Sequence, residues 1–307
     1  MLKEERIKEL IDIIDDLNYN YYTLDNPKVS DKEYDVLYDE LVSLENETGY
    51  ILNYSPTQRV GGHILEKFEK HVHLGRLWSL GKSQSYGDLR NWDIRVRKTI
   101  DDYNQNNTDK LPNPKYILEY KFDGLTINLT YNNGELVQGA TRGNGLIGEG
   151  ILEQIKTIKS IPMKINFPNT IEIQGEGLMP LSALRKYNLD AIEPLKNARN
   201  AAAGALRNLD TGETKKRNLT AYFYNIGYIE GKRFETHLEM IDFLRENRLP
   251  VFSFFKSFDS IDDLIGEIEA IKDHRGDLDI LTDGMVIKIN DLHTREVLGY
   301  TNKFPRW

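Results

Sequence analysis

Glu119 and Lys121 stand two residues apart in Tyr116-Ile117-Leu118-Glu119-Tyr120-Lys121-Phe122, directly before Asp123-Gly124. In an extended chain, residues two apart share a face. Tyr116, Leu118, Tyr120 and Phe122 then make an apolar face turned to a core. Ile117, Glu119 and Lys121 point the other way, so an amine and a carboxylate are aimed at one site beside a turn. A lysine held in this way can serve as a nucleophile once its amine is neutral. The competing reading is an exposed strand with a local charge pair, and so short a motif does not choose between the two by itself.

Other elements must position this strand. Ile7, Leu10, Ile11, Ile14 and Leu17 recur at helical spacing and predict a helix over 4–18. After a turn at Asp25-Asn26-Pro27, Ser30-Asp31-Lys32-Glu33 has the form of a capping box opening a second helix along Tyr34, Leu37, Leu41 and Leu44. These two helices form a small hairpin module. The loop Ser55-Pro56-Thr57-Gln58-Arg59-Val60-Gly61-Gly62 reads as a boundary, dividing the chain into a helical module, 1–68, and a larger domain, 69–307. A helix is expected over 86–103, and the polar stretch 101–114 reads as a mobile loop. The chain then becomes mainly β. Leu125 to Tyr131 and Glu135 to Thr141 are strands joined by the two-residue turn Asn133-Gly134. Further strands are expected over 171–178, 221–229 and 284–290, and helices over 149–159, 181–188, 235–247 and 260–273. The fold class is α+β, antiparallel sheets flanked by helices, with an N-terminal helical module.

Gly143-Asn144-Gly145-Leu146-Ile147-Gly148 matches the dinucleotide fingerprint, with Glu172 as a distant ribose acid. That fingerprint belongs to the first turn of a parallel unit. Here the strand before it is the second arm of a hairpin, which argues against a Rossmann domain.

The chain carries 39% hydrophobic and 29% charged residues, an ordinary globular composition. It has no cysteine, which excludes internal disulfides and Cys-ligated zinc and suits a reducing compartment, so a cytoplasmic location is expected. The N-terminus is charged at once and has no apolar core of a signal peptide. No apolar run approaches the ~20 residues of a membrane helix. A net charge of −8 argues against the chain gripping DNA by itself, although Lys215-Lys216-Arg217 offers a local basic patch.

With Lys121-Phe122-Asp123-Gly124 in place, further blocks fall into order: Ala140-Thr141-Arg142-Gly143, Gln174-Gly175-Glu176, Asn200-Ala201-Ala202-Ala203-Gly204 between Arg199 and Arg207, and Asp283-Gly284-Met285-Val286-Ile287-Lys288. The set resembles the adenylation region of bacterial NAD-dependent DNA ligases over nearly the whole chain. Tyr21-Tyr22 and Val29 to Asp35 resemble the helical module of the NAD-using branch. The resemblance implies a nucleotidyltransferase with ATP-grasp-like sheets. It implies that Lys121 attacks the α-phosphate of NAD, releasing nicotinamide mononucleotide (NMN) and keeping AMP on the lysine for later transfer to nicked DNA in replication and repair. It implies Lys288 on the α-phosphate, Asp123 among the catalytic residues, Glu176 on the ribose, Glu119 near adenine, Tyr224 stacked on it, Ser79 and Leu80 lining its pocket, and Arg142 beside the phosphates. Lys288 and Arg142 are the cations expected to lower the Lys121 pKa. Tyr21, Tyr22, Asp31, Tyr34 and Asp35 are implied to hold NMN, whose cationic ring suits aromatic faces and carboxylates. Mg²⁺ is implied as a cofactor, while no protein metal ligands are assigned. A monomer is expected, meeting nicked DNA through a longer protein and no membrane.

The chain also departs from the family pattern at Gln174, Asn144, Gly150, Ala198 and His73 to Trp78. It stops at Trp307, before the family's second lysine and its later domains, and so is expected to adenylate itself without sealing nicks efficiently. A non-catalytic NAD-binding paralogue and an ATP-dependent polynucleotide ligase are the alternatives.

Overall fold

The computed structural model describes residues 2–59 and 65–307, with the side chains of Asp273 and Arg275 outside the description. Val60, Gly61 and Gly62 of the expected boundary loop lie outside the described residues. Helix α1 spans Lys3–Tyr22 and α2 Asp31–Thr48, joined as an antiparallel hairpin. The capping box at Ser30 forms: Glu33 N–H donates to Ser30 Oγ, and the Glu33 carboxylate accepts from Ser30 N–H at 2.9 Å. Ile7, Leu10, Ile11, Ile14 and Leu41 are fully buried in the module's own core. Helix α1 runs one turn past the expected end, which puts Tyr21 and Tyr22 on its last turn.

Strand β1 (Lys70–Val72) and helix α3 (Tyr86–Asn106) lead into β2 (Tyr116–Phe122), β3 (Leu125–Asn132), β4 (Glu135–Thr141) and β5 (Ile147–Glu149). Helix α4 (Leu152–Lys156), strand β6 (Ile171–Leu178) and helices α5 (Leu181–Asp190), α6 (Ala198–Leu206) and α7 (Thr211–Lys216) follow. Then come β7 (Thr220–Ile229), α8 (His237–Glu246), β8 (Phe255–Phe258), α9 (Ile261–Ile271), β9 (Thr282–Ile289) and α10 (Leu292–Leu298). All pairings are antiparallel, in a large sheet β4-β3-β6-β7, a smaller sheet β8-β2-β9 and a ribbon β1-β5. The β3–β4 turn places Asn133 at φ 51° and Gly134 at φ 80°, the left-handed pair that a tight hairpin needs. A Cβ at Gly134 would also lie 2.6 Å from the Ile165 carbonyl.

Two expectations give way. The helix expected over 149–159 is only Leu152–Lys156, because Ile147–Glu149 pairs with Lys70–Val72. The loop expected from 101 begins later, because α3 continues to Asn106 and Asn104 then clasps Leu111, accepting from its N–H at 2.7 Å and donating to its carbonyl at 3.0 Å. Local polarity argued for a loop; the tertiary contact of Leu111 selects helix and clasp.

The period-2 patterns decide how the sheets face. On β3 and β6, Ile127, Leu129, Ile171 and Ile173 pack under α4, α6 and α8 in the main core. Thr126, Asn128, Thr130, Glu172, Gln174 and Glu176 line the opposite face, paired as Thr126↔Glu176, Asn128↔Gln174 and Thr130↔Glu172. In the smaller sheet, Tyr116, Leu118 and Ile289 join a second core with α3, α9 and α10. The remaining faces of the two sheets look at one another. Strand β2 is therefore buried on both faces: Ile117 and Glu119 are buried along with Tyr116 and Leu118, which alternation alone did not foretell.

The N-terminal module docks behind the large sheet. Arg59 donates to the carbonyls of Ile158 (3.1 Å) and Ile161 (2.5 Å), just beyond α4. Asp16 pairs with Arg248 at 3.2 Å, and Lys159 donates to the Tyr22 hydroxyl at 3.0 Å. A groove of about 310 Å³ remains there, lined among others by Asp12, Asp15, Arg59 and Lys164. Arg59→Ala should leave those carbonyls unsatisfied and loosen the docking. We expect a loss of roughly 2 kcal/mol in urea denaturation and a larger radius of gyration by small-angle scattering. Unchanged values in both would show that Arg59 does not hold the module.

Candidate active site

The facing sheets enclose one cluster of polar groups. Ile117 on β2 sits opposite Lys288 on β9, so Glu119 and Lys288 are diagonal neighbours on the same face. They form a salt bridge with both side chains less than a tenth exposed. Burial opposes the Glu119 charge, but Lys288 and His237 prevail and hold its carboxyl below the usual range. Burial presses Lys288 below the usual lysine range, against the pull of Glu119. Lys288 also donates to the Tyr224 carbonyl at 3.3 Å and lies 5.1 Å from the centre of its ring.

Lys121 is at the open end of the cluster, with its Nζ 2.7 Å from Asp283 on β9. The neighbours expected to be cations are otherwise engaged: Lys288 is neutralised by Glu119, and Arg142 donates to Ser79 Oγ at 3.2 Å. The group in contact with Lys121 is a carboxylate. The register Lys121↔Gly284 explains this, since it sets Asp283 beside the bulge at Lys121/Phe122. Asp123 follows at the turn and pairs with Arg199 at 2.9 Å. Gly124 is required by space, because a Cβ there would lie 2.3 Å from the Gly177 carbonyl. Glu176 faces this turn. Burial pushes its carboxyl up to about 7, against donors from Thr126 and Gly124 and the nearby Lys121. The Tyr224 hydroxyl reaches Glu176 at 3.5 Å. An amine, a buried ion pair, a carboxyl raised by burial and an aromatic ring thus line one cleft.

The fingerprint-like glycines form no helix entry. They turn β4 into β5, with the Asn144 side chain accepting from Leu146 and Ile147 N–H, both at 2.9 Å. Glu172 is fully buried and accepts from Leu74 N–H (2.9 Å), Gly75 N–H (3.0 Å) and His71 (3.2 Å), a clasp for the chain leading to Ser79. His71, His73 and Glu172 are the group among the described residues with metal-ligand spacing. His73 has no lone pair to spare, since Nε2–H donates to the Arg142 carbonyl and Nδ1 accepts from Asn128. Leu80 is exposed beyond Ser79. The departures at 73–78 alternate between buried and exposed: His73 and Leu77 are buried, Leu74 is exposed, and Trp78 stacks on Tyr300 at 4.5 Å and carries Arg76 over its ring. Gln174 accepts from Asn225 at 2.8 Å.

The structure does not bring the N-terminal candidates to Lys121. Tyr21, Tyr22, Asp31, Tyr34 and Asp35 sit on α1 and α2, behind the large sheet, while Glu176 and Tyr224 lie on its other face. Tyr21 and Tyr22 meet edge to face at 4.8 Å, and Tyr34 donates to Asn18 at 3.0 Å. Three residues of the cleft carry no local signal that marks them: Asp283, Thr126 and His237. Asp283 opens the Asp283-Gly284 block, but its contact with Lys121 depends on cross-strand register.

The direction of the Glu176 shift fixes a pH dependence. Its folded pKa lies above the ordinary 4.5. Between pH 4.5 and about 7 the folded chain keeps a proton that the unfolded chain releases, so this group lowers stability as pH rises through that window. Glu176→Gln should be more stable than wild type at pH 8 by about 1–3 kcal/mol, with the gap closing towards pH 4. Urea denaturation at both ends would decide it; a pH-independent gap would refute the cause given.

Two family profiles match the chain. The NAD-dependent DNA ligase adenylation domain covers residues 65–307, and the DNA ligase-like, N-terminal NAD⁺-binding domain covers residues 2–61. Among curated relatives, the DNA ligase of Alkaliphilus metalliredigens is 56% identical over 99% of this chain and 45% of its own length. That of Finegoldia magna is 55% identical over 100% of this chain and 46% of its own, and DNA ligase 2 of Clostridium acetobutylicum 52% identical over 98% and 45%. The chain thus spans about half the length of the curated relatives it matches. Its helical module, its facing antiparallel sheets and the Lys121 cleft accord with these matches, and the chain belongs to the family of NAD-dependent DNA ligases, as their N-terminal and adenylation regions.

Proposed function

We propose that this chain transfers the adenylate of NAD to Lys121, as the first stage of a ligation that the longer protein completes on nicked DNA. The observation that carries the reading is the meeting of Lys121, Asp283, Glu176, Tyr224 and the Glu119–Lys288 pair between two sheets, in a chain of this family. The Lys121 ammonium must lose a proton before it can attack, and Asp283 is the acceptor in contact. The amine then forms a bond to the α-phosphorus, the phosphoanhydride bond breaks, and its electron pair leaves with NMN. Lys288 turns to the negative charge that grows on the phosphate. A cation that meets that charge lowers the barrier to phosphoryl transfer. Ionised Glu176 accepts from the ribose hydroxyls, and Tyr224 offers its face to adenine. Arg142 and Ser79 border the phosphates, and Leu80 and Glu119 border the base.

A Mg²⁺ ion fits this donor set, because such ions take one or two carboxylates and rely on substrate phosphates for the rest. Asp123 is the carboxylate that would hold it beside the substrate phosphates, with Asp283 left to take the Lys121 proton, and it would neutralise phosphate charge.

We assign residues 1–68 as the NMN-reading module and 69–307 as the adenylating domain. Tyr21, Tyr22, Asp31, Tyr34 and Asp35 then belong to a lid that must leave its place behind the sheet to meet NAD seated by its AMP end. Lids of this kind exclude water and complete a site. The expected setting is cytoplasmic and the expected state monomeric; no described helix is long and apolar enough to cross a membrane.

Intact mass after incubation with NAD tests the central step. Wild type should gain one AMP from NAD and none from ATP, and Lys121→Ala should gain none while keeping its fold. An adduct on Lys121→Ala at the wild-type rate would show that the nucleophile is misassigned. Lys288→Ala should slow single-turnover adenylation by about 10²–10³-fold, with NAD still bound. For the lid, Asp35→Ala should weaken NAD and NMN in calorimetric titration and leave AMP affinity unchanged. Equal losses for NAD and AMP would assign Asp35 to the fold instead.

A further inference from the structure

His237 has no part in the roles above, and its surroundings are unusual. It is the first residue of α8, has no exposed surface, and neither of its ring nitrogens has a hydrogen-bond partner. A buried imidazole carries at least one N–H, and leaving it unpaired is costly, so such groups are few in folded proteins. The ring is fixed by packing. It stacks on Phe255 with centroids 5.6 Å apart and planes at 27°, and the His237 backbone N–H donates to the Asn290 carbonyl at 2.8 Å. Three charged groups face it: Glu119 from β2, Lys288 from β9 and Arg295 from α10. Arg295 donates its Nε–H to the Ile289 carbonyl at 2.5 Å. Of the three, only Glu119 can accept a hydrogen bond. Its Oε2 lies 3.9 Å from His237 Nε2, about 1 Å beyond ordinary hydrogen-bond length.

We infer that His237 is a positioning residue that takes over the Glu119 carboxylate when Lys288 turns from it to the nucleotide phosphate. The inference rests on the adenylation reading. When Lys288 swings to the phosphate it gives up its contact with Glu119, and this strands a buried carboxylate, a costly state unless another donor arrives. His237 and that carboxylate are within a small side-chain movement of one another. Burial, helped by Lys288 and Arg295, holds the imidazole neutral, with its pKa lowered to about 3. The donor is therefore a neutral Nε2–H, available throughout the neutral pH range with no proton exchanged. A shift of about 1 Å brings the Glu119 carboxylate within hydrogen-bond reach of that Nε2–H, and Lys288 is released for the chemical step.

Single-turnover adenylation from NAD, measured on the chain with four variants, tests this. His237→Leu should slow adduct formation by about 10- to 100-fold, the worth of one hydrogen bond to a charge, with NAD affinity changed far less. His237→Gln, which restores an N–H donor, should recover most of the rate. In a Glu119→Gln background, His237→Leu should have little further effect, because the amide leaves no charge to strand. An equal slowing in both backgrounds, or no recovery with glutamine, would overturn the inference and leave His237 as packing. A second readout does not depend on turnover. The His237 imidazole N–H resonance in nitrogen-edited NMR should move downfield on saturation with AMP, and no movement counts against the proposal. A wild type that gains no AMP from NAD sinks the functional reading and this inference together. A reactive wild type with additive variants sinks the inference alone.

Discussion

Two sheets can pack polar face to polar face only if the charges between them satisfy one another, and Glu119 with Lys288 is where that condition is met. Both side chains are less than a tenth exposed, and each would be strongly unfavourable in that place without the other. Their diagonal placement on adjacent strands follows from the Ile117↔Lys288 register, so the pairing of β2 with β9 also sets the ion pair in the cleft. Beside this pair, burial drives the Tyr224 phenol well above its ordinary range. In such surroundings a lysine and an aromatic ring have effects that they would not have in water.

The carboxylates of β6 show how one strand supplies different environments. Glu172 and Glu176 lie four residues apart on the same face of the large sheet. Glu172 meets two backbone N–H groups and the side chains of Asn128 and His71, and these outweigh its burial to hold its carboxyl below the ordinary range. Glu176 is buried with weaker compensation and is left near neutrality. The first fastens the chain that carries Ser79 against Arg142. The second faces the cleft in a state that a hydroxyl-bearing ligand could shift. Identical side chains are divided into clasp and receptor by the donors around them.

The helical module is held by a different kind of contact. Arg59 reaches backbone carbonyls past the short α4, and Asp16 pairs with Arg248 after α8. Burial raises Asp15 in the adjoining groove to about 6. These are polar and ionic contacts, beside two hydrophobic cores that are joined by Tyr54, which packs against both. An attachment of this kind can be exchanged for another without unfolding either part.

The sequence by itself determined the local elements whose signals are local. The Ser30 capping box, the Asn133-Gly134 hairpin and the alternation of β2, β3 and β6 were legible because caps, left-handed turns and period-2 patterns are properties of neighbouring residues. The resemblance carried by Lys121 to Gly124, Arg142, Glu176 and Lys288 led to the family, which the matching profiles and relatives bear out. Tertiary structure decided the rest. Asp283 meets Lys121 through cross-strand register, and His237 meets Glu119 through the docking of α8, separations of 162 and 118 residues that no local pattern encodes. Pairing with β1 turned the start of an expected helix into β5, because a strand partner satisfies backbone groups that a short helix would leave open. The placing of Tyr21, Tyr22 and Asp35 away from Lys121 was likewise a matter of docking, decided by Arg59 and Asp16 rather than by the aromatic and acidic residues that marked them as binding candidates.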